Sequence, residues 1–367
     1  MQEQWERAIS SDARGIGARA LGLALRAAVW PYLAGLKMNL AIYDSGLRAR
    51  TRPALPAVSV GNITLGGTGK TTATRTLARA LLQRGVTPGI VLRGHARASA
   101  RGPLLVADRD EIVTGLDEAG DEALMLASTI PGCPVGVGKR RERVIELLAE
   151  AGAQIALLDD GFQYFRMERA VNLVLLDATM ELRGARVFPA GRLREPISHL
   201  RRATHIMITH ADLAPVSAVN ELVETAHHVA PHAPVMQSRH RPTGLYPLGD
   251  PTARRAAGEL AGKRVVAVSA LGNPAAFEGT LLSLGAEVAV SLAYDDHHHY
   301  SKDDYRRIHQ AAVAHGAECI VVTEKDAVKL PPLSRDAPPV WALQVDLEVT
   351  AGSEQWETLL DLICHAT

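Results

Sequence analysis

The stretch from Ser59 to Thr72 constrains the fold of this chain more than any other. It reads Ser-Val-Gly-Asn-Ile-Thr-Leu-Gly-Gly-Thr-Gly-Lys-Thr-Thr, follows an apolar run at 56–60, and leads into a helical pattern from Ala73 to Arg84. A strand, a glycine-rich turn that ends in Lys-Thr, and a helix are, in this order, typical of a loop that wraps a polyphosphate with backbone N–H groups. The sequence therefore predicts a phosphate-binding loop.

Within this loop, Lys70 would reach the outer phosphates, and the Thr71 hydroxyl would take a Mg²⁺ coordination position. The strict spacing of such loops places a glycine at position 64, where this chain has Thr64. Three later glycines supply the flexibility instead. An ordinary glycine-rich turn is the alternative, and the strand and helix on either side argue against it. The predicted nucleotide-binding residues are Thr64, Gly66, Gly67, Thr68, Gly69, Lys70, Thr71 and Thr72.

The composition narrows the class of protein. The chain has 367 residues, of which 47% are apolar and 22% charged, so it can bury the cores of two globular domains. Forty basic residues balance forty acidic ones and aromatic residues make up 4%, which argues against nucleic-acid binding. The three cysteines form no Cys-x-x-Cys pair, so they suggest neither a zinc site nor a disulfide framework, and a reducing cytoplasmic compartment fits best.

Apolar runs alternate with helical patterns along the rest of the chain. Continuous apolar strands separated by helices predict an α/β fold of the P-loop NTPase type, a parallel sheet with helices on both faces. A second, smaller α/β unit begins near Arg241. We predict a core that carries the phosphate-binding loop at 1–235 and a smaller domain at 236–367. The segment Val235 to Leu248, with its two prolines, is the predicted connector, and within the smaller domain it occupies about 236–248.

The N-terminal region, at about 15–45, contains an apolar stretch from Ala18 to Tyr43. Its longest uncharged run, Ala27 to Leu36, is too short to span a bilayer and contains Pro31. Basic residues punctuate and follow the stretch, so it could be an amphipathic segment that lies in the membrane interface. A helix packed on the core explains the same periodicity equally well.

Two acidic motifs stand where a phosphate-loop enzyme needs carboxylates. Asp159 and Asp160 end an apolar strand downstream of the glycine turn, where a carboxylate must sit to hold Mg²⁺ opposite Thr71. An aspartate pair in a simple turn is the alternative. Asp121 and Glu122 open a helix, where Asp121 could serve in catalysis or only as the helix N-cap.

Two further segments carry polar side chains at predicted crevice positions. Asp296 precedes His297, His298 and His299, and adjacent side chains in extended backbone point to opposite faces, so the three histidines cannot all bind one ion. We interpret this segment as carrying an acid–base histidine that Asp296 orients. A polar loop without a catalytic role is the alternative. Thr323 to Asp326 follows a strand, either at a ligand crevice or as the cap of a helix from Ala327 to Leu330.

The motifs together resemble those of the tetraacyldisaccharide 4'-kinase family, the lipid A 4'-kinases. The resemblance spans nearly the whole chain and includes Thr64 in place of the first loop glycine. The motifs that carry it are Val60–Thr71, Gly120-Asp-Glu122, Asp159-Asp-Gly-Phe-Gln163, Pro189-Ala-Gly-Arg-Leu-Arg-Glu-Pro196, Gly272-Asn-Pro274, Asp296-His-His298 and Thr323-Glu-Lys-Asp-Ala-Val-Lys329.

The resemblance implies phosphoryl transfer from ATP, with Mg²⁺, to the 4'-hydroxyl of a lipid A disaccharide 1-phosphate. It also implies a peripheral location at the cytoplasmic face of the inner membrane, and no obligate protein partner is evident. Carried over by position, the resemblance makes Lys70 and Thr71 contacts of the phosphates and the metal. The resemblance also places Asp159, Asp160 and Glu122 near the metal. It makes Asp121 the base and His297 its partner. Gln163, Asp296 and His298 would have supporting roles.

The chain departs from the family pattern at Ala123 and Thr72, where the family usually has proline. Both positions open helices, where proline is favoured but not required. Adjacent histidines leave the partner of the base open between His297 and His298.

Two other functions remain open at this stage. One is a nucleotide-switch ATPase or GTPase that acts on a protein partner, although Thr323 to Asp326 only loosely resembles a guanine-specificity motif. The other is a kinase of a soluble small molecule, for which the N-terminal segment would be a core helix.

Overall fold

The computed structural model describes Trp5 and residues 16–94, 102–182, 184–271, 274–295, 298–330 and 338–367. Helices and strands alternate along these ranges. Their order is α1 (Ile16–Asp44), β1 (Ala57–Asn62), α2 (Lys70–Gln83), β2 (Pro88–Leu92), β3 (Leu104–Ala107), α3 (Leu116–Ala119), α4 (Asp121–Thr129), β4 (Val135–Val137), α5 (Arg141–Glu150), β5 (Ile155–Asp159), β6 (Val171–Asp177), β7 (His205–Thr209), α6 (Val216–Val229), β8 (Val235–Pro247), β9 (Arg264–Ser269), α7 (Pro274–Ser283), β10 (Glu287–Ala293), α8 (Lys302–Ala314), β11 (Cys319–Thr323), α9 (Glu324–Ala327), β12 (Val340–Ala351) and α10 (Ser353–His365), with 3₁₀ helices at Ile197–Arg202 and Ala257–Leu260.

The described residues form two compact units. The first unit comprises those of 1–70, 160–239 and 349–366, and the second those of 71–159 and 240–348. The division falls between Lys70 and Thr71 and between Asp159 and Asp160, so each unit carries part of both predicted motifs. The domain boundary predicted near residue 235 stays a prediction.

The first unit is built on the parallel strands β8, β7, β6 and β1, paired in that order. The strand residues are buried on both faces, as Val58 and Val174 illustrate, which is why the sequence shows continuous apolar runs instead of alternation. Leu222 of α6 packs into the core against β6 and β7. The carboxyl ends of β1, β6 and β7 lie along one edge, where α/β sheets bind ligands.

Helix α1 packs on the first unit through its last turns. Leu40 and Tyr43 form a small buried cluster with Phe165, and the Tyr32 hydroxyl donates to the Arg194 carbonyl oxygen at 2.7 Å. The other side of the helix leaves Trp30 77% exposed and Met38 63% exposed. No helix among the described residues is long and apolar enough to cross a membrane. The helix therefore combines a packed face with apolar side chains that the described residues leave exposed.

The second unit contains two groups of strands. Strands β5, β2 and β4 are parallel, and the short β3 pairs antiparallel with β4. Strands β10, β9, β11 and β12 are all parallel. Helix α7 packs on one side of β9 and β11 through Phe277 and Leu281, and α8 packs on the other through Ile308. The fold is the predicted α/β class.

The segment Val235 to Leu248, predicted as a connector, forms the 13-residue strand β8 over most of its length, and its alternation of buried and exposed positions gives it a polar sequence. Its role as the connector stays a prediction. One local prediction is wrong. The helix predicted from Ala327 begins earlier, because the Thr323 hydroxyl accepts from the Asp326 backbone N–H at 3.2 Å and so caps α9 at Glu324.

Burial lowers the reactivity of two of the three cysteine thiols. Cys133, Cys319 and Cys364 are free cysteines. Burial raises the pKa of Cys133 to about 12 and that of Cys319 to about 11. Since the thiolate is the nucleophile and metal ligand, these two side chains act as small apolar groups near neutral pH.

Gly61→Ala should destabilise the protein. A methyl group on Gly61 of β1 would lie 2.6 Å from the Phe162 Cβ atom and 2.8 Å from the Phe162 nitrogen, so the backbone would have to move. Overpacking of this kind costs about 1–3 kcal/mol. Thermal unfolding should show a lower Tm, whereas Gly258→Ala, which has no atom within 4 Å, should leave Tm unchanged. Equal Tm values for the two variants would contradict the packing argument.

Candidate active site

The glycine-rich turn between β1 and α2 is held by buried hydrogen bonds. Gly66 and Gly69 have φ angles of 109° and 78°, which side-chain-bearing residues rarely adopt. The Asn62 side-chain amide donates to the Thr68 hydroxyl at 2.8 Å, and the Thr209 hydroxyl donates to the Thr68 carbonyl oxygen at 3.2 Å. The turn is thus braced from the carboxyl ends of β1 and β7.

Thr64 has a structural reason to replace glycine. It forms an antiparallel bridge with Leu193, and the next residue, Leu65, donates its backbone N–H to the Arg192 carbonyl oxygen at 2.7 Å. A residue in this paired backbone needs no positive φ. Thr64 is also buried at 2% exposure, beside Asn62. The loop residue that breaks the usual spacing is therefore part of the contact with the segment around Leu193.

In the second unit, the Thr71 hydroxyl donates to Asp159 Oδ2 at 2.9 Å. Thr71 lies in the first turn of α2, and Asp159 is the buried last residue of β5. A hydroxyl beside a carboxylate is the oxygen donor set that Mg²⁺ prefers, so these residues fit the ion. Among the described residues, no group of three or more His, Cys, Asp or Glu could hold a metal ion.

Asp160, in the first unit, faces basic side chains. Its φ of 54° lies in the left-handed region, which is uncommon for a residue other than glycine and often marks a functional site. Arg194 Nη1 donates to both carboxylate oxygens at 2.8 Å, and Lys70 Nζ lies 3.9 Å from Oδ1. The two adjacent aspartates therefore have different surroundings, one near a hydroxyl and one between two cations.

A buried polar network supports the same part of the first unit. The Gln163 side-chain amide donates to the Asn62 carbonyl oxygen and to Glu195 Oε1, each at 2.8 Å. Glu195 is fully buried and also contacts His199 and Arg202. Arg194 and Glu195 were not among the predicted site residues. The motif Pro189 to Pro196 was the available signal, because it places charged residues in a short segment bounded by proline and glycine.

Asp121 is the first residue of α4 and is buried at 8% exposure. Its Oδ1 accepts from the Glu122 backbone N–H at 2.9 Å, and its Oδ2 lies 4.0 Å from Lys325 Nζ. The alternative that Asp121 is the N-cap of this helix is wrong. Gly120, with a φ angle of 83°, occupies the N-cap position. Glu122 follows in the first turn and is half-buried. The Asp121 carboxylate is therefore buried close to an ammonium group of the same unit.

The histidine motif is only partly described. Asp296 and His297 lie outside the described residues. The His298 ring stacks on Tyr294 with centroids 4.7 Å apart, and its Nε2 lies 3.0 Å from Asp304 Oδ2, in the capping box of α8. His298 thus holds the loop to the helix. Which of His297 and His298 is the partner of the base stays a prediction.

Comparison with known proteins decides the family. The model of the tetraacyldisaccharide-1-P 4'-kinases matches residues 21–364. The chain belongs to this family. Relatives named tetraacyldisaccharide 4'-kinase include one from Anaeromyxobacter sp. strain Fw109-5, 37% identical over 90% of this chain and 88% of the relative. Another, from Anaeromyxobacter dehalogenans strain 2CP-C, is 38% identical over 94% and 91%.

The crystal structure of the kinase LpxK from Aquifex aeolicus, described as an apo form in complex with ATP, has the same fold. It matches with a TM-score of 0.76 and 26% identity, and the match covers 94% of this chain and 99% of that chain. The predicted fold, family and kinase activity are confirmed. The roles of individual residues stay predictions.

Arg194→Met should weaken metal binding in this enzyme. The substitution removes the bidentate partner of Asp160 while it keeps an apolar stem of similar reach. Asp160 is one of the predicted metal-site carboxylates, and loss of a group that orients such a carboxylate costs about 10–100-fold in affinity or activity. We expect the Mg²⁺ concentration for half-maximal activity to rise by at least about 10-fold. Arg192→Met, at an exposed position two residues away, is the control and should match the wild type.

Proposed function

We propose that this kinase transfers the γ-phosphoryl group of ATP to the 4'-hydroxyl of a lipid A disaccharide 1-phosphate precursor. The observation that carries the proposal is the Thr71–Asp159 hydrogen bond at the start of the helix that follows the glycine turn. It supports a Mg²⁺–nucleotide site. The acceptor follows from the family, whose name specifies a tetraacyldisaccharide 1-phosphate. The related Aquifex kinase was crystallised with ATP, which supports the same phosphoryl donor here.

The donor side of the reaction depends on the glycine turn and Lys70. We assign the binding of the polyphosphate to the backbone N–H groups from Gly66 to Thr72 and to the Lys70 ammonium group. Thr71 and Asp159 would hold Mg²⁺. Asp160 and Glu122 are further candidates for the metal site. When bound, Mg²⁺ would neutralise charge that develops on the phosphates.

The acceptor side depends on Asp121. Its carboxylate would accept the proton of the sugar hydroxyl as that oxygen attacks phosphorus, and His297 would hold or relay the proton. Gln163 supports the loop through its contact with the Asn62 carbonyl oxygen. Asp296 and His298 would orient the histidine loop. Positioning matters most in phosphoryl transfer, because little covalent chemistry falls to the protein.

Asp121→Ala should retain ATP binding and lose most turnover. General-base catalysis contributes about 10²–10⁴-fold, so a loss in this range is expected in kcat. Isothermal titration with ATP and a radiolabelled transfer assay measure the two properties separately. Normal turnover would remove Asp121 from the role of base.

The acceptor is tested by a direct comparison of substrates. Radiolabelled ATP is incubated with a lipid A disaccharide precursor and, in parallel, with soluble sugars. Label should appear only on the lipid. Transfer to a soluble sugar, or hydrolysis stimulated by a protein instead of a lipid, would replace the proposed function.

We further propose that the kinase works peripherally, at the cytoplasmic face of the inner membrane, and that α1 contacts the lipid. Leu23, Trp30 and Met38 leave 65%, 77% and 63% of their surface exposed on this helix. An open cleft of about 1180 Å³ lies beside the end of α1, and Lys37 and Arg201 are among its basic lining residues. Apolar side chains next to basic ones favour an anionic membrane surface.

The double variant Trp30→Asp with Met38→Asp should weaken membrane binding. Two carboxylates on the exposed face would oppose both apolar insertion and the anionic surface. Sedimentation with vesicles of anionic phospholipid should show a bound fraction at least about 5-fold lower. Leu213→Asp, at a residue that is also 65% exposed but lies away from α1, should bind like the wild type. Unchanged sedimentation of the double variant would exclude α1 as the lipid contact.

A further inference from the structure

The turn from Thr323 to Asp326 is rigidly fixed within the second unit. Asp326 is fully buried, and its Oδ2 accepts from the Thr323 hydroxyl at 2.6 Å and from the Ala270 backbone N–H at 2.9 Å. Its Oδ1 lies 2.9 Å from Lys329 Nζ. These contacts fix the direction of the two residues between Thr323 and Asp326.

The first of these two residues, Glu324, is bound to the helix of the phosphate loop. Glu324 Oε2 accepts from Arg75 Nη1 at 2.6 Å, and the two side chains are 7% and 2% exposed. Arg75 Nε lies 3.1 Å from Asp346 Oδ1, so the guanidinium is shared by two carboxylates. Because a buried charge that loses its partner is strongly destabilising, this link holds the turn against α2.

The second residue, Lys325, reaches the proposed base. Its Nζ lies 4.0 Å from Asp121 Oδ2, and the two side chains are 15% and 9% exposed. At this distance the pair is joined by charge and not by a hydrogen bond. A partly buried pair is screened by salt less than a surface pair.

Helix α4, which begins with Asp121, is tied to α2 at its other end too. Arg79 Nη2 donates to the carbonyl oxygen of Thr129, the last residue of α4, at 3.0 Å. Arg79 Nη1 also lies 2.7 Å from Asp346 Oδ2. The C-terminal end of α4 is therefore joined through Arg79 to Asp346, the carboxylate that also contacts Arg75.

We infer that Lys325 is a positioning residue for Asp121, held in place by the Glu324–Arg75 ion pair. The inference rests on the proposed role of Asp121 as the base. The Lys325 ammonium group orients the carboxylate toward the acceptor hydroxyl and takes no proton itself. A base that is misplaced by about 1 Å can lose on the order of 10²-fold in rate, so a residue that fixes its position acts on kcat.

Lys325→Met and Lys325→Arg test this role in the transfer assay. Lys325→Met keeps the length of the side chain and removes its charge, so kcat should fall at least about 10-fold while KM for ATP changes less than about 3-fold. Lys325→Arg should restore most of kcat. Lys302→Met, at an exposed lysine of α8, is the control for loss of a positive charge and should match the wild type. A wild-type kcat for Lys325→Met, or equal losses for Met and Arg, would overturn the inference.

A double-mutant cycle separates positioning from a structural effect. If Lys325 acts through Asp121, adding Lys325→Met to Asp121→Asn should lower the single-turnover rate no further. Additive losses would overturn the inference even if both single variants are slow. Wild-type turnover of Asp121→Asn would instead overturn the proposed base. An inactive Asp121→Asn beside a normal Lys325→Met would leave the base in place and reject only Lys325.

Discussion

The buried guanidinium of Arg75 is the interaction on which much of the second unit depends. A cation 2% exposed must have carboxylate partners, since desolvation without them would cost several kcal/mol. Glu324 and Asp346 are those partners, and they come from the turn after β11 and from β12. Their charges raise the pKa of Arg75 against the lowering effect of burial. The helix that follows the phosphate loop is thereby joined to the turn that carries Lys325.

Asp159 and Asp160 are neighbours in the chain, yet their side chains have different partners. Asp159 ends β5 in extended backbone and meets the Thr71 hydroxyl. Asp160 adopts a left-handed backbone, which turns its side chain to Arg194 and Lys70. The first arrangement places a carboxylate beside a hydroxyl, and the second places a carboxylate between two cations. A strained backbone angle is retained because Arg194 binds both oxygens of the carboxylate.

Much of the fold could be predicted from periodicity and turn chemistry. The helix after the glycine turn overlaps most of the pattern from Ala73 to Arg84, and α4 begins at Asp121 as predicted. Strand β8 was missed because its alternating, polar sequence resembles a linker, and α9 was placed too late because a threonine cap is a weak signal next to a strand. In the candidate site, Thr71 and Asp159 were predicted as partners from the order of the motifs. Arg75 was not, because nothing local distinguishes a buried arginine from one on the exposed side of an amphipathic helix.

The sequence by itself determined the order of strand, glycine turn, Lys-Thr and helix, and with it the kinase chemistry. These features depend on local backbone requirements, such as the positive φ at Gly66 and Gly69, that a few adjacent residues encode. Only the tertiary structure decided that Arg194 holds Asp160, that Lys325 lies beside Asp121, and that Arg75 is buried. Arg75 and Glu324 are 249 positions apart in the chain. Contacts of that kind follow from how strands and helices pack, and the residues on either side of each partner do not encode them.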